Sequence, residues 1–267
     1  MDTAAKLPAA MKVLLDSMGL QAQVHLAGHR RLARFLSILE SIPACSVSFS
    51  SGPTLTWKEL REHAVLVITT RYPAEVAYSG QELTWIWDFV RLGGGLLLMS
   101  NHGDLPGSNP HDMTQYDAQV GHLFGVNIEC SWFQNPASVE LSVLGGKDFL
   151  TSHPIIGGHG EEDAVRTVVI NNCSSIVAEG FGHPLVSLSQ DMVDLRNGNS
   201  PQNRLFAHAL DLETAGSLSI QGRVVTVADS GFIGDEGSTV PGPGLIGHGD
   251  NAQFVKNVVR WLGREMG

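Results

Sequence analysis

Cysteines and charged side chains are scarce in this chain. Its 267 residues include only three cysteines, Cys45, Cys130 and Cys173, which are widely spaced and form no Cys-x-x-Cys pair. Neither a disulfide framework nor a zinc knuckle is therefore indicated. Charged residues make up 16% of the chain, and the formal net charge is −10. Because binding to a phosphate backbone needs clustered Lys and Arg, we expect no nucleic-acid partner.

Long apolar runs are missing as well. No run approaches the roughly 18 residues that a membrane span needs, and the N-terminus lacks the charged and apolar segments of a signal peptide. We therefore expect no membrane partner and a cytoplasmic, reducing environment. Hydrophobic residues still make up 43% of the chain, which is enough to bury a large core as one domain.

Short apolar runs alternate with helix-like segments along the chain. Helical apolar stripes begin near Leu32, capping boxes start at Thr56 and Ser79, a further helix is predicted at 112–124, and Asp250 is predicted to cap the last helix. The apolar runs predict strands at 11–15, 45–49, 64–68, 95–99, 126–129 and 223–227. This alternation is typical of the α/β class with a parallel sheet.

The middle of the chain has a different character. Short β-like runs separated by turns occur at 139–144, 164–170, 174–178 and 205–210. They indicate a β-rich insertion at 131–220 within a single α/β domain that spans 1–267, because they continue the core and show no boundary of their own.

Polar side chains follow the predicted strands at the points where they end. Ligands of open α/β sheets bind beyond the carboxyl ends of the strands, so we expect these groups to meet in one crevice, with Asp16 and Asp229 ending neighbouring strands. His248 joins from the long loop at 231–249. The strand-end candidates are Asp16, Thr69, Thr70, Arg71, Ser100, Asn101, His102, Asp104, Asp229 and Ser230.

These candidates suggest roles in catalysis. His102 is the predicted general acid or base, Ser100 the predicted nucleophile, and Asp104 or Asp229 the group that orients the imidazole. Arg71 is the predicted anchor for the substrate. Structural roles remain open for each of them, such as helix capping or an ion pair. The residues assigned to substrate binding are Arg71, Thr70, Asn101, Asp16, Ser230 and His248.

Several segments resemble one known superfamily. They are the strand that ends at Asp16, the run 66–69, the helix that leads into the glycines and strand of 93–98, and the segment 222–230. Together they resemble the class I glutamine amidotransferase-like superfamily, and its trehalose-utilisation-type branch in particular. The resemblance implies a doubly wound, mostly parallel flavodoxin-like sheet. In the amidotransferases a cysteine follows the strand that ends here at Met99. This chain has Ser100 at that position, so a thiol-dependent glutaminase is not expected.

Three functions remain open at this stage. The first is an enzyme that hydrolyses or rearranges a C–N or acyl bond of a small polar substrate, with no cofactor. The second is a non-catalytic module that binds a small ligand, such as a sugar, or a protein. The third is a metal-dependent hydrolase that uses His102, Asp104, His111 and Asp112, although no metal ligand is assigned. A homo-oligomer is compatible with all three.

Overall fold

The computed structural model describes residues 10–17, 32–72, 77–137, 141–150, 152–178, 182–213, 221–235 and 244–266. Its helices are α1 (Ala33–Glu40), α2 (Trp57–Leu60), α3 (Gly80–Arg91), α4 (Asp117–Leu123), α5 (Pro154–Gly157) and α6 (Asn251–Leu262). The strands are β1 (Met11–Leu15), β2 (Cys45–Phe49), β3 (Val65–Ile68), β4 (Gly95–Met99), β5 (Val126–Gln134), β6 (Ser142–Gly145), β7 (Thr167–Ile170), β8 (Cys173–Ala178), β9 (His183–Ser187), β10 (Val193–Asp194), β11 (Leu205–Asp211) and β12 (Arg223–Val227).

A parallel sheet forms the centre of the molecule. Its strands run in the order β2-β1-β3-β4-β12, and each neighbouring pair is parallel. The strands predicted from the apolar runs therefore exist, and the carboxyl ends of these five parallel strands lie along one edge. The strand predicted at 126–129 belongs to β5, which runs in the opposite direction to β12. The sequence suggested that Asp16 and Asp229 end neighbouring strands. This prediction is wrong, because β3 and β4 lie between β1 and β12.

Antiparallel strands from the middle of the chain extend this sheet. β11 pairs with β12, and β8, β5 and β10 follow beyond it, while β9 also pairs with β11. β6 and β7 form a separate two-stranded sheet. The fold is thus α/β with a central parallel sheet, but it is richer in strands than a plain flavodoxin-like fold. β5 crosses residue 131, where the sequence placed the start of the insertion.

Helices cover both faces of the parallel strands. Because side chains alternate along a strand, Val13 and Leu15 join the core on one face whereas Leu14 joins the core on the other. α1 and α6 pack on the first face, and α2, α3 and α4 pack on the second. The buried helix residues of these two cores are Phe35, Leu39, Phe254 and Val258 on one side, and Leu60, Ile86, Val90 and Val120 on the other.

Local hydrogen bonds set the helix ends. Ser79 and Glu82 form the predicted capping box of α3. The helix predicted at 112–124 begins only at Asp117, because the Asp112 carboxylate accepts hydrogen bonds from the N–H and hydroxyl of Thr114 in a preceding turn. None of the helices in the described ranges is long and apolar enough to span a bilayer.

Candidate functional site

The parallel strands bring most of the predicted strand-end residues to one edge, where they are buried. Thr70 has a left-handed φ of 100°, and its hydroxyl lies 3.1 Å from the Ser230 Oγ. The Asn101 side chain donates to the same oxygen at 3.3 Å. These contacts tie the ends of β3, β4 and β12 together. Every member of this group is at most 5% exposed: Asp16, Thr69, Thr70, Arg71, Ser100, Asn101, Asp229 and Ser230.

Arg71 is held by protein groups on several sides. Its Nη2 lies 3.5 Å from Asp16 Oδ2 and 3.2 Å from Glu82 Oε1, and the guanidinium carbon lies 3.5 Å from the centre of the Tyr78 ring. Burial alone raises the pKa of Glu82, but the Ser79 N–H and the Arg71 charge lower that pKa overall. The guanidinium predicted to anchor a substrate is thus already engaged in an internal ion-pair cluster.

Two buried carboxyl groups at this edge have raised pKa values. Complete burial raises the pKa of Asp229 to about 7, although the N–H groups of Gly231 and Phe232 lower it in part. Its Oδ1 accepts from Gly231 at 2.7 Å, whereas its Oδ2 has no hydrogen-bond partner among the described residues. Burial also raises the pKa of Asp117 well above its usual range. Burial therefore favours the protonated form of both side chains.

His102 lies apart from this group. Its ring stacks on Trp132 with the centroids 3.8 Å apart, and its Nδ1 donates to the Gly103 carbonyl oxygen at 2.8 Å. Burial lowers the pKa of His102, although the Gly103 carbonyl and the Asp112 charge raise it in part, so the neutral imidazole is favoured. Within the described ranges, no hydrogen bond or ion pair joins His102 to Ser100, Asp104 or Asp229. The described residues therefore do not assemble the nucleophile, imidazole and carboxylate that the sequence suggested.

Asp104 is used in a different way. Its Oδ1 forms an ion pair with Arg196 Nη2 at 2.8 Å and accepts from the Cys130 thiol at 3.3 Å. Burial raises the pKa of that thiol to about 12, with the Asp112 charge also raising it and the Asp104 N–H lowering it. Cys130 is consequently a protonated, unreactive thiol at neutral pH.

The residues proposed as metal ligands are engaged in other contacts. His111 is exposed, and its ring tilts against Tyr72 at 5.8 Å, while Asp112 is used in the turn before α4. Among the residues that the structure describes, no group of three or more His, Cys, Asp and Glu side chains is arranged to hold a metal ion.

The described part of the last loop makes other contacts within the protein. His248 is half-buried, and its backbone N–H donates to Leu245. Asp250 precedes α6 but makes no capping hydrogen bond with its side chain, contrary to the sequence prediction. Its carboxylate instead accepts from the N–H groups of Arg166 and Thr167, at 2.8 and 2.9 Å, and so links the helix to β7. Residues 236–243 of the predicted loop lie outside the described part of the chain.

A polar cavity of about 530 Å³ lies elsewhere, between β5 and the segment 194–204 that joins β10 to β11. The sequence pattern did not predict this cavity. The one available signal was the run 196–204, which contains five amide or hydroxyl side chains and no large apolar residue. The residues that line the cavity are Glu129, Cys130, Ser131, Phe133, Asp194, Asn197, Asn199, Ser200, Gln202, Asn203 and Arg204.

The Glu129–Arg204 ion pair and Ser131 form one wall of this polar cavity, and the buried Ser175 supports them from behind. Arg204 donates to Glu129 through Nε at 2.5 Å and through Nη2 at 3.0 Å. The Ser175 hydroxyl also donates to Glu129, at 2.6 Å, and the Ser131 Oγ lies 2.9 Å from the Ser175 Oγ. This two-point pairing fixes both charged side chains in one geometry.

The opposite wall is a loop held in place by Asp194. The Asp194 carboxylate accepts from the N–H groups of Trp132 and Arg196, at 2.9 and 3.1 Å. The Asp194 N–H donates to the Asn199 carbonyl, and the Asp194 carbonyl accepts from the Gly198 N–H. The amide groups of Asn199, Gln202 and Asn203, at the mouth, make no hydrogen bond to the described residues. The cavity is therefore built before any ligand arrives and has free hydrogen-bonding groups at its rim.

Comparison with known proteins supports the fold. No protein-family model and no curated protein matches the chain. Among solved structures, the N-terminal domain of mmIFT52 has a TM-score of 0.67 at 12% identity and covers 94% of this chain and 96% of its own. The cytoplasmic protein STM1381 from Salmonella typhimurium LT2 has a TM-score of 0.57 at 14% identity, covering 94% and 99%.

A ThuA-like protein from Bacteroides uniformis is similar to a comparable degree. Its TM-score is 0.56 at 15% identity, and the match covers 98% of this chain and 94% of that one. At such identities these likenesses establish the fold alone. The chain thus shares the α/β fold of these structures, and its function has to be argued from its own residues.

Proposed function

We propose that this chain is a binding module that takes a small, uncharged molecule rich in hydroxyl groups into the polar cavity beside β5. One observation carries the proposal: amide groups that have no hydrogen-bond partner among the described residues lie at the mouth of the cavity. Of the residues expected to act in catalysis, Ser100 and Asp229 are buried at the strand ends, and His102 lies apart from them. Ligand sites combine a preformed concave shape with a few well-placed polar groups. The cavity beside β5 fits that description.

The charges of the cavity favour a neutral ligand. Its lining contains Glu129, Asp194 and Arg204, and each of these already has hydrogen-bond partners within the protein. Among the described lining residues, no guanidinium is left to recruit an anion, and no carboxylate is left to recruit a cation. The groups that remain are amides and a hydroxyl, which both donate and accept hydrogen bonds. A hydroxyl group of a ligand does the same, so a sugar or another polyol matches them.

The rigidity of the cavity supports useful affinity. The Asp194 turn and the Glu129–Arg204 pair fix the two walls, so few groups have to be ordered when a ligand binds. Phe133 adds an apolar side chain to the lining and is only 3% exposed. Its exposed surface is too small to stack on a sugar ring, so the amides of Asn199 and Gln202, which suit hydroxyl groups, provide the main contacts.

A hydrolase is the second candidate, and one observation favours it. Asp229 has a pKa of about 7 and an Oδ2 without a partner among the described residues, which suits proton transfer near neutral pH. In that case Asp229→Asn abolishes turnover of a small amide or ester substrate. Full turnover in Asp229→Asn would remove this candidate.

We also infer that the chain is a non-catalytic member of the class I glutamine amidotransferase-like superfamily. The likeness to a ThuA-like fold supports this placement. Ser100 stands where that superfamily's amidotransferases carry a cysteine, and it is fully buried. A ligand-binding role on a fold that elsewhere carries catalysis is consistent with the separation of fold from function.

The binding proposal is tested by titrating the chain with neutral monosaccharides and with matched charged sugars, followed by NMR. A variant that combines Asn199→Ala, Gln202→Ala and Asn203→Gly removes the rim amides. Asn203 has a left-handed φ of 58°, so glycine keeps its backbone conformation. Gln81→Ala, at an exposed position of α3, is the matched control. We expect saturable binding of a neutral sugar that the rim variant loses and the control keeps. Absence of binding across the panel, or equal binding by the rim variant, would overturn the proposal.

A further inference from the structure

A second cavity, of about 370 Å³, lies at the opposite edge of the parallel sheet, where β3 and β4 begin. It is independent of the polar cavity and of the function proposed for it. Its walls come from α2, the end of α3 and the end of α6. The apolar side chains that line it are Trp57, Phe89, Leu92 and Leu262.

The apolar wall is partly open to water. Leu92 is 57% exposed, the second highest value among the large hydrophobic residues that the structure describes as exposed, while Phe89 is 4% exposed and Leu262 is 2% exposed. Covering Leu92 and the half-buried Trp57 with a ligand removes apolar surface from water, which is favourable in proportion to the area covered. The cavity therefore suits the apolar body of a small molecule.

The rim of this cavity carries positive charge. Arg61 follows α2 and is exposed, and its guanidinium makes no ion pair or hydrogen bond with the described residues. Arg264 lies on the same rim and shares its charge with the exposed Glu213 at 3.2 Å. Two guanidinium groups and one carboxylate leave a net positive charge at this place, in a chain whose formal charge is −10.

Glycines form the floor and keep the space open. A Cβ at Gly94 would lie 2.5 Å from the Phe89 ring, so the ring rests directly on the backbone there. Gly93 has a left-handed φ of 105° and turns the chain from α3 into β4. A side chain at Gly94 would displace Phe89 into the cavity. Gly93 and Gly94 thus shape the cavity as well as the turn.

We infer that this second cavity binds a small apolar carboxylate, which is either aromatic or aliphatic. The carboxylate group of the ligand contacts Arg61, and its apolar body packs against Trp57 and Leu92. The unpaired guanidinium provides the charge-assisted, two-point contact that carboxylates favour. The apolar walls provide the remaining binding energy. A neutral polyol is expected to bind weakly at this site, and an apolar carboxylate is expected to bind weakly in the polar cavity.

The test uses 2-naphthoate as the probe and 2-naphthalenemethanol as its neutral counterpart. Binding is followed through the amide resonances of Gly93, Gly94 and Gly263, which line the cavity. We expect saturable shifts at these glycines with 2-naphthoate and binding about tenfold weaker for the alcohol.

Variants decide whether Arg61 makes the contact. Arg61→Gln removes the charge at the rim, and Arg166→Gln makes the same change at an exposed position outside the cavity. We expect Arg61→Gln to weaken 2-naphthoate binding about tenfold and Arg166→Gln to leave it unchanged. Absent shifts at the three glycines, or equal affinity of Arg61→Gln and the unaltered chain, would overturn the inference.

Discussion

Arg204 and Glu129 meet in a two-point ion pair on the wall of the polar cavity, with Nη2 and Oε1 3.0 Å apart. They are 75 residues apart in sequence, yet this contact joins the start of β11 to the middle of β5. The pair neutralises the strongest charges that a ligand would meet. It therefore sets which class of molecule the cavity prefers.

Changing Glu129 should change that preference. Glu129→Gln leaves the Arg204 charge without its partner and makes the cavity more positive. We expect glucuronate to gain on glucose by roughly fivefold in relative affinity, the size of a partly exposed charge pair. Titration of both sugars measures the ratio. Glu213→Gln makes the same charge change at the other end of β11, and a similar shift in that variant would show that the effect is not local.

Arg71 should be important for stability. Arg71→Met leaves the buried carboxylates of Asp16 and Glu82 without their shared cation. Removing one partner from a buried ion pair costs about 3–5 kcal/mol in the free energy of unfolding. Urea denaturation measures the loss. Arg91→Ala breaks the exposed Arg91–Asp88 pair and is expected to cost at most about 1 kcal/mol; equal losses in the two variants would contradict the ion-pair account.

Asp229 should make the protein less stable as the pH rises. Its pKa is raised to about 7 in the folded chain but is about 3.9 when unfolded, so the folded state holds the proton longer. Its contribution to stability is complete below about pH 4 and is lost as the pH approaches 7.

Asp229→Asn removes this titration and keeps the acceptor for the Gly231 N–H. Relative to the unaltered chain, we expect the variant to gain on the order of 3 kcal/mol between pH 4 and pH 7. Urea denaturation across that range measures the difference. A difference that stays constant with pH would contradict the raised pKa.

His153 should act in the opposite direction. Burial lowers its pKa to about 4, helped by the charges of His183 and Arg223 and opposed by Asp211. The unfolded chain therefore takes up a proton first, and the stability present above about pH 6.5 is lost as the pH falls towards 4.

His153→Asn keeps the acceptor for the Ile155 N–H, because the Asn side-chain oxygen replaces Nδ1. We expect the variant to lose less stability than the unaltered chain between pH 6.5 and pH 4. The exposed His122→Asn serves as the control. If both variants follow the same pH profile, the histidine environment has been assigned wrongly.

The parallel core could be predicted from the sequence because its signals are local. The apolar run 95–99 and the capping box at Ser79 each specify their own element. The antiparallel extension was less accessible, since short β-like runs such as 205–210 do not specify which strand they pair with. Residues that follow a strand can either line a crevice or be buried by later segments of the chain. The sequence around Arg71 does not distinguish these two outcomes. The polar cavity was missed because its walls come from β5 and from a loop some 65 residues later.

The most direct test of the binding account is where the ligand lies in a crystal of the chain soaked with the neutral sugar that binds best in solution. The account predicts density for one sugar ring between Glu129 and the rim amides of Asn199 and Gln202. Density beside Asp229 and Ser100 instead, with the polar cavity empty, would contradict it and restore the strand ends as the functional site.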